Sequence, residues 1–321
     1  GPAPPARGVA PLRSAEGVGV VVVTARRFLG TRVRHINRTW GARFPSLVFA
    51  SSEGAGAPGP GAQVWGLRAP PSFRALFDAD GYESHVYKGH LGLERLYRRR
   101  PRLPWYALVG DDAYLADAFL VEALRGVTPR PGAEAVCAGC LSRIPFDHQA
   151  RTLRWMAEAC GPGPACAERA LRLLLPYANL TFLYGAAIFC SNAAVARLRP
   201  FLSSVLVEGY MEPYAERLAD FVPGTDTVLG RCLRDLGVRL VDLPAAGYWG
   251  GDYLPGTVRN REVLDAAFRE GLRPLRLADA RRPAVWHHLT EELQFDAADF
   301  WHAVLRGACA PGPGTPATEA P

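Results

Sequence analysis

The residues of this chain best suited to chemistry are two adjacent carboxylates, Asp111 and Asp112, which end the apolar run Trp105-Tyr106-Ala107-Leu108-Val109-Gly110. An apolar run of that length ending in acids is the pattern of a buried parallel strand. Such a strand delivers its acids to the carboxyl edge of a sheet, where open α/β sheets bind ligands. Two acids there cannot both lose water cheaply without a cation, so a divalent metal holding phosphate oxygens is the natural partner. A competing reading starts a helix at Asp112, with the acids as caps ahead of Tyr114 to Leu124. Two further polar sites end or follow separate apolar segments: Asp226, within Pro223-Gly224-Thr225-Asp226-Thr227, and the pair His287-His288 after Ala284-Val285-Trp286. If the three converge, they supply oxygen ligands, an imidazole and a spare carboxylate able to act as a base. Taken singly, Asp226 reads as a helix N-cap and either histidine as a packed or solvated side chain.

The elements that must position these groups follow from hydrophobic pattern. Val18 to Thr24 reads as a buried first strand, and Phe28, Val33, Ile36 and Trp40 then fall close to helical spacing. Arg26, Arg27 and Arg32 lie near the carboxyl end of that strand, where arginines either neutralise phosphates or are solvated. Leu47 to Ala50 and Gln63 to Leu67 are the next strands, and a helix from Lys88 to Arg99 leads into the acidic strand. Strands alternating with helices predict an α/β fold with a parallel, doubly wound sheet. Past Asp112 the pattern predicts a helix to Leu124, strands at Ala135 to Ala138 and Thr181 to Cys190, and a helix through Leu202 capped by Ser191. A helix from Asp226 to Gly237, a strand at Val238 to Leu243, the short segment Ala284 to Leu289 and a last helix to Leu305 complete the order. One large domain over 17–306 is expected, with a nucleotide-binding half at 17–125 and an acceptor-binding half at 126–306. The Pro-rich segments 1–16 and 307–321 are expected to be disordered.

Composition narrows the function classes. The 321 residues carry 37 Lys and Arg against 31 Asp and Glu, and Lys88 is the single lysine. Such one-sided arginine usage reads as compositional bias, and nucleic acid is not expected as a partner. The longest aliphatic run, near Val18 to Val23, is far short of the roughly 18 residues that cross a bilayer. No signal peptide is evident and the first residue is Gly1, so a targeting or anchor segment is expected to be missing from this chain. Of seven cysteines, Cys137 and Cys140 form a lone CxxC, and the Cys160 to Cys166 loop has a length that a disulfide can close. The sequons at Asn37 and Asn179 permit a secretory reading.

The order of these motifs resembles that of the Fringe-like glycosyltransferases of the β-1,3-glycosyltransferase superfamily (the family 31 type). The resemblance runs from Val18 to Leu305. It covers the first strand with Arg38-Thr39-Trp40, the turn Gly110-Asp111-Asp112-Ala113-Tyr114, and the strand Tyr184-Gly185-Ala186-Ala187-Ile188-Phe189-Cys190. It continues through Asp226 to Val238 and ends at His287-His288-Leu289. It implies a GT-A fold, a UDP-sugar donor, a glycan or glycoprotein acceptor and Mn²⁺. Asp112 matches the family's metal-binding acid, His288 or His287 its metal-binding histidine, and Asp226 its catalytic base. Asp111 would sit beside the donor, with Thr24, Arg27 and Lys88 as further donor-binding candidates. Cys190 and Cys232 resemble a cysteine pair of the family, hence an expected disulfide. The activity implied is inverting transfer forming a β-1,3 linkage in the Golgi or secretory lumen, with a non-catalytic glycan-binding or transferase-partner protein as the alternative. A phosphoesterase would need more acidic and histidine ligands than the chain offers. The sequence departs from the family at Gly110, where an aspartate is common, and at Ala186, where the family has a second glycine.

Overall fold

Five valines in the six residues Val18–Val23 suit a strand packed on both faces, and β1 is buried along its whole length. The computed structural model describes residues 9–52, 62–71, 80–81, 84–127, 134–143, 165, 168, 172, 175–177, 180–202, 225–243, 284–287, 289 and 292–308. Among them the order is β1 (Val18–Val23), α1 (Arg32–Arg38), β2 (Ser46–Ser52), β3 (Val64–Leu67), α2 (His85–Arg99), β4 (Trp105–Gly110), β5 (Tyr114–Leu115) and α3 (Asp117–Gly126). There follow β6 (Val136–Arg143), β7 (Thr181–Ser191), α4 (Asn192–Leu202), α5 (Thr225–Asp235), β8 (Arg239–Asp242), β9 (Val285–Trp286) and α6 (Glu292–Ala308).

Seven of these strands form one sheet in the order β3-β2-β1-β4-β7-β6-β8, and β5 pairs with β9 in a second, two-stranded sheet. Within the large sheet β7 runs antiparallel to β4 and β6, and every other pair is parallel. The sheet is doubly wound, as the alternation predicts, and mixed, as the GT-A resemblance implies: antiparallel β7 breaks the all-parallel pattern that alternation alone gives. Strand order leaves β1 in one direction towards β3 and in the other towards β4, so the carboxyl edge between β1 and β4 is the switch point at which such sheets open a crevice.

Period-two alternation assigns the faces of β1. Val20 and Val22 pack with Val33, Ile36, Trp40 and Leu120 on one side. Val21 and Val23 pack with Val86, Leu93 and Leu96 of α2 on the other. Helix α2 rides low on the sheet: a Cβ at Gly92 would stand 2.7 Å from Val21 Cγ1 and 3.2 Å from Ala50 Cβ.

Several expectations are corrected. No helix starts at Asp112: β5 intervenes and α3 begins at Asp117, because the backbone after the acids pairs with β9. The segment 9–16 of the expected disordered lead-in is ordered, with Leu12 and Ala15 buried in the core and Leu12 O accepting from Arg125 Nε at 3.1 Å. Asn37 lies within α1, as its helical spacing predicts, and Thr39 Oγ1 donates to His35 O at 2.8 Å. The disulfide joins Cys190 to Cys137, not to Cys232; the two residues face each other directly across β6 and β7. Cys232 is buried in the same core. Ser191 does cap α4, its Oγ accepting from Ala194 N at 3.3 Å. Gly307 and Ala308 of the expected disordered tail belong to α6, while Cys160, Cys166, Asn179 and 309–321 lie outside the described residues.

Two buried imidazoles set an acid limit on the fold. Complete burial drops His90 to about 3, and neither ring nitrogen has a hydrogen-bond partner. Burial likewise lowers His302 to about 4, against the opposing pull of Asp117. The unfolded chain protonates such groups near 6.5, so it binds more protons than the folded chain below that pH. Stability is therefore full above about pH 6.5 and falls as pH drops towards 4 and then 3. The His90→Leu variant is expected to flatten that fall by up to about 1.4 kcal/mol per pH unit, read from urea unfolding at pH 7, 5.5 and 4.5.

Candidate functional site

The last rung of the β1–β4 ladder pairs Val23 with Gly110, so Thr24 and Asp111 emerge side by side at the carboxyl edge. Thr24 Oγ1 donates to Asp111 Oδ2 at 2.7 Å, and Arg32 NH1 donates to Asp111 Oδ1, also at 2.7 Å. The Arg32 guanidinium lies 3.9 Å over the Phe28 ring. Asp111 is 2% exposed. Burial pushes its carboxyl up, while Thr24 and Arg32 pull it down. Both oxygens are thus engaged from within the protein. Asp111, read as a donor contact, ties β4 to β1 and α1, and Arg32, read as a phosphate ligand, holds it there.

Asp112 takes the other course. Its turn is closed by Ala113 N donating to Gly110 O at 3.3 Å. Trp40 Nε1 donates to Ala113 O at 3.0 Å, and Leu289 N to Asp112 O at 2.8 Å. Tyr114 pairs with Trp286 and Leu115 with Val285. This ladder brings His287 to the acid: Nε2 stands 3.3 Å from Asp112 Oδ1. Two donors each about 2.1 Å from an octahedral ion sit about 3 Å apart, so a carboxylate and an imidazole at this spacing fit one divalent cation. Among the described residues no third His, Cys, Asp or Glu completes a cluster. His288 lies outside the described residues.

Gly110, where the Fringe-like turn that this sequence resembles commonly has an aspartate, has a spatial role. A Cβ there would stand 2.7 Å from Asp112 Oδ1. The carboxylate folds into the space a side chain would fill. Gly110→Ala is therefore expected to displace it and to raise the Mn²⁺ concentration for half-maximal nucleotide-dependent stabilisation about tenfold, with the metal-free melting temperature unchanged.

The neighbouring cations are unequal. Lys88 Nζ is buried and donates to Thr24 O at 3.0 Å and to Asp80 Oδ1. Burial lowers its proton affinity and Asp80 restores part of it. Asp80 also accepts from Ser52 Oγ, and from Arg26 N at 2.7 Å. Burial by itself raises the Asp80 carboxyl, yet these donors bring it below the usual carboxylate range. Its φ of 51° places it in the left-handed region that aspartate tolerates better than most residues. Lys88, expected to bind donor, is thus committed inside the protein. Arg27 remains exposed, its guanidinium 4.7 Å from the Phe28 ring centroid.

Sequence reading missed Asp80 and His85. His85, the first residue of α2, feels the charges of Asp111, Lys88, Asp112 and Asp80, while burial lowers its pKa most. Nothing local marks either residue; the nearest signal is their position eight and three residues before the single lysine.

The acid-bearing turn is braced from behind. Tyr114 OH donates to Asp299 Oδ1 at 2.7 Å, accepts from Arg43 NH1 at 2.8 Å and lies 3.1 Å from His302 Nδ1. Asp226 sits half-buried in the first turn of α5, its Oδ1 accepting from Thr227 N at 2.9 Å. Ala187 of β7 pairs with Val109, so the residues of antiparallel β7 before Ala187 project past the carboxyl edge. A Cβ on Gly230 would stand 2.5 Å from Phe182 Cβ in that projecting part. The start of α5, with Asp226, therefore lies toward the carboxyl edge, on the face that α2 covers.

No protein-family profile and no curated protein matches the chain. It is similar in structure to the galactosyltransferase LgtC in complex with donor and acceptor sugar analogs, at 12% identity, 92% coverage of this chain, 97% of that chain and a TM-score of 0.42. It is also similar to mouse xyloside xylosyltransferase 1, at 12% identity, 84% and 96% coverage and a TM-score of 0.35. For the bifunctional glycosyltransferase WbbM the values are 12%, 90% and 51%, and 0.36. Likeness of this degree carries no functional argument.

Proposed function

We propose that this protein is a metal-dependent, inverting glycosyltransferase of the GT-A type. It moves a sugar from a UDP-sugar to a hydroxyl of a glycan or glycoprotein, forming a β-1,3 linkage. The observation that carries the reading is the Asp112–His287 pair, 3.3 Å apart at the switch point of a doubly wound sheet and assembled from segments 175 residues apart in sequence. Asp112 and His287 would hold Mn²⁺, which when bound supplies positive charge beside the leaving diphosphate. Arg27, exposed at the same edge, is placed to meet a phosphate. Thr24 and Lys88 act indirectly, by fixing Asp111 and the end of β1. Asp226 takes the proton from the acceptor hydroxyl as the acceptor oxygen bonds to the anomeric carbon and the bond to the diphosphate breaks. The Cys137–Cys190 disulfide supports residence in an oxidising lumen such as the Golgi.

A second reading, a non-catalytic glycan-binding or transferase-partner protein, is favoured by one observation: Asp111 is closed off by Thr24 and Arg32, which leaves a single carboxylate in the turn for a cation. A panel of UDP-sugars with Mn²⁺ or EDTA separates the two, with UDP release and thermal stabilisation as readouts. Mn²⁺-dependent release from one donor, lost in Asp226→Asn while Mn²⁺-dependent nucleotide binding persists, supports the transferase. Stabilisation without release across varied acceptors supports the partner protein.

A further inference from the structure

At the end of the sheet opposite the site, Arg95, Arg98 and Arg99 repeat at i, i+3 and i+4 on the last turns of α2, and Arg100 and Arg102 continue past its end. Arg199 of α4 lies close enough to α2 to act on the ionisation of Tyr97. Arg98, Arg99, Arg100, Arg102 and Arg199 are exposed. Helix α2 starts at the acids and returns across the sheet, which puts this surface about 22 Å from them.

The surface is rigid and poor in counter-charge. Arg95 and Arg99 lie 4.8 and 5.1 Å over the ring of Trp65. Asn192 Nδ2 donates to Pro101 O at 2.8 Å and to Leu103 O at 2.9 Å, and Tyr106 OH donates to Arg100 O at 2.5 Å, which fixes the loop carrying Arg100 and Arg102. Among the described residues the one carboxylate in ion-pair reach of the row is Glu94, 4.0 Å from Arg98. Cations at a helix C-terminus favour the helix dipole, but one or two achieve that.

We propose that this arginine row is a binding surface for a linear anionic polysaccharide bearing sulfate or carboxylate groups. Guanidinium forks spaced by about one helical turn, ~5 Å, suit planar or tetrahedral oxyanions repeated along a chain. Single-stranded nucleic acid binds by stacking bases on aromatic faces, and the aromatic side chains here, Trp65, Tyr97 and Tyr106, are all buried beneath the arginines. An interfacial bilayer site adds exposed apolar side chains to its cations. The described exposed large apolar residues, Leu141 and Leu175, lie elsewhere. The disulfide fits an oxidising compartment, away from the cytosol and its nucleic acids. The proposal does not depend on the transferase reading.

The test is fluorescence anisotropy of a labelled heparin decasaccharide across a salt series. It compares Arg98→Gln/Arg100→Gln/Arg102→Gln with a control of equal charge, Arg13→Gln/Arg34→Gln/Arg306→Gln, both first checked for unchanged melting temperature. The row variant is expected to bind about tenfold or more weakly, with the slope of log affinity against log salt reduced by about two; the control is expected to change by less than about threefold. Equal loss in both variants would reduce the effect to net charge and overturn the proposal. So would absent binding by the unaltered chain, or row-dependent binding that is tighter to phosphatidylserine vesicles or duplex DNA than to the decasaccharide.

Discussion

Replacing Asp112 by asparagine is expected to lower kcat/KM for Mn²⁺-dependent sugar transfer by about a thousandfold, ~4 kcal/mol, while leaving the melting temperature without metal within about 2 °C. The two halves of the expectation have separate causes. The turn is held through its backbone, with Leu289 N on Asp112 O and Ala113 N on Gly110 O, and neither bond uses the side chain. The side chain faces His287 and carries the charge that an amide cannot. Losing a direct ligand should exceed the roughly 10- to 100-fold cost of disturbing an outer-shell group. His287→Ala should produce the same pattern, and the double variant should be little worse than either single one, because either loss already empties the pair. Measuring UDP release over a Mn²⁺ titration beside thermal unfolding checks both parts. Unchanged turnover in Asp112→Asn would remove Asp112 from the chemistry.

The second large effect concerns stability. Asp80→Asn is expected to cost about 3 kcal/mol of unfolding free energy, measured by urea titration at pH 7. Lys88 Nζ has no solvent exposure and relies on Asp80 and the Thr24 carbonyl for its charge. Removing one partner leaves a buried ammonium without its carboxylate, the arrangement that costs most. Adding Lys88→Met to Asp80→Asn should recover much of the loss, since an apolar stem then fills the same space. In a chain with 36 arginines, the single lysine sits where a planar guanidinium fork would not match a carbonyl and a carboxylate approached from one point. Lys88→Arg is on this account destabilising, though charge is kept.

The sheet was legible in the sequence because apolar run length and alternation are local. Val18 to Val23 and Trp105 to Gly110 announce buried strands, and the adjacent acids announce the edge. Pairing between distant segments was not legible. Nothing near Tyr114 indicates that it meets Trp286, so Asp112 could be read equally well as a helix cap. The same holds for Asp111, whose inward turn depends on Thr24 and Arg32, 87 and 79 residues earlier. Cys190 was matched by resemblance to Cys232, whereas the β6–β7 register sets Cys137 opposite it. Asp80 is the extreme case: one residue with φ of 51° gathers Arg26, Ser52 and Lys88, and no periodicity encodes it.

The Cys137–Cys190 bond also changes the covalent topology of the chain. The cysteines are 53 positions apart and sit on neighbouring strands, one of which lies against the acid-bearing β4. Everything between them is a ring. Closing a ring of that size removes unfolded-chain freedom worth about 4 kcal/mol. A protease that cuts once inside it, at Arg151 for example, opens the ring without dividing the molecule. Such a product runs as one band on a non-reducing gel and as two after reduction, and β6 and β7 stay joined through the cut.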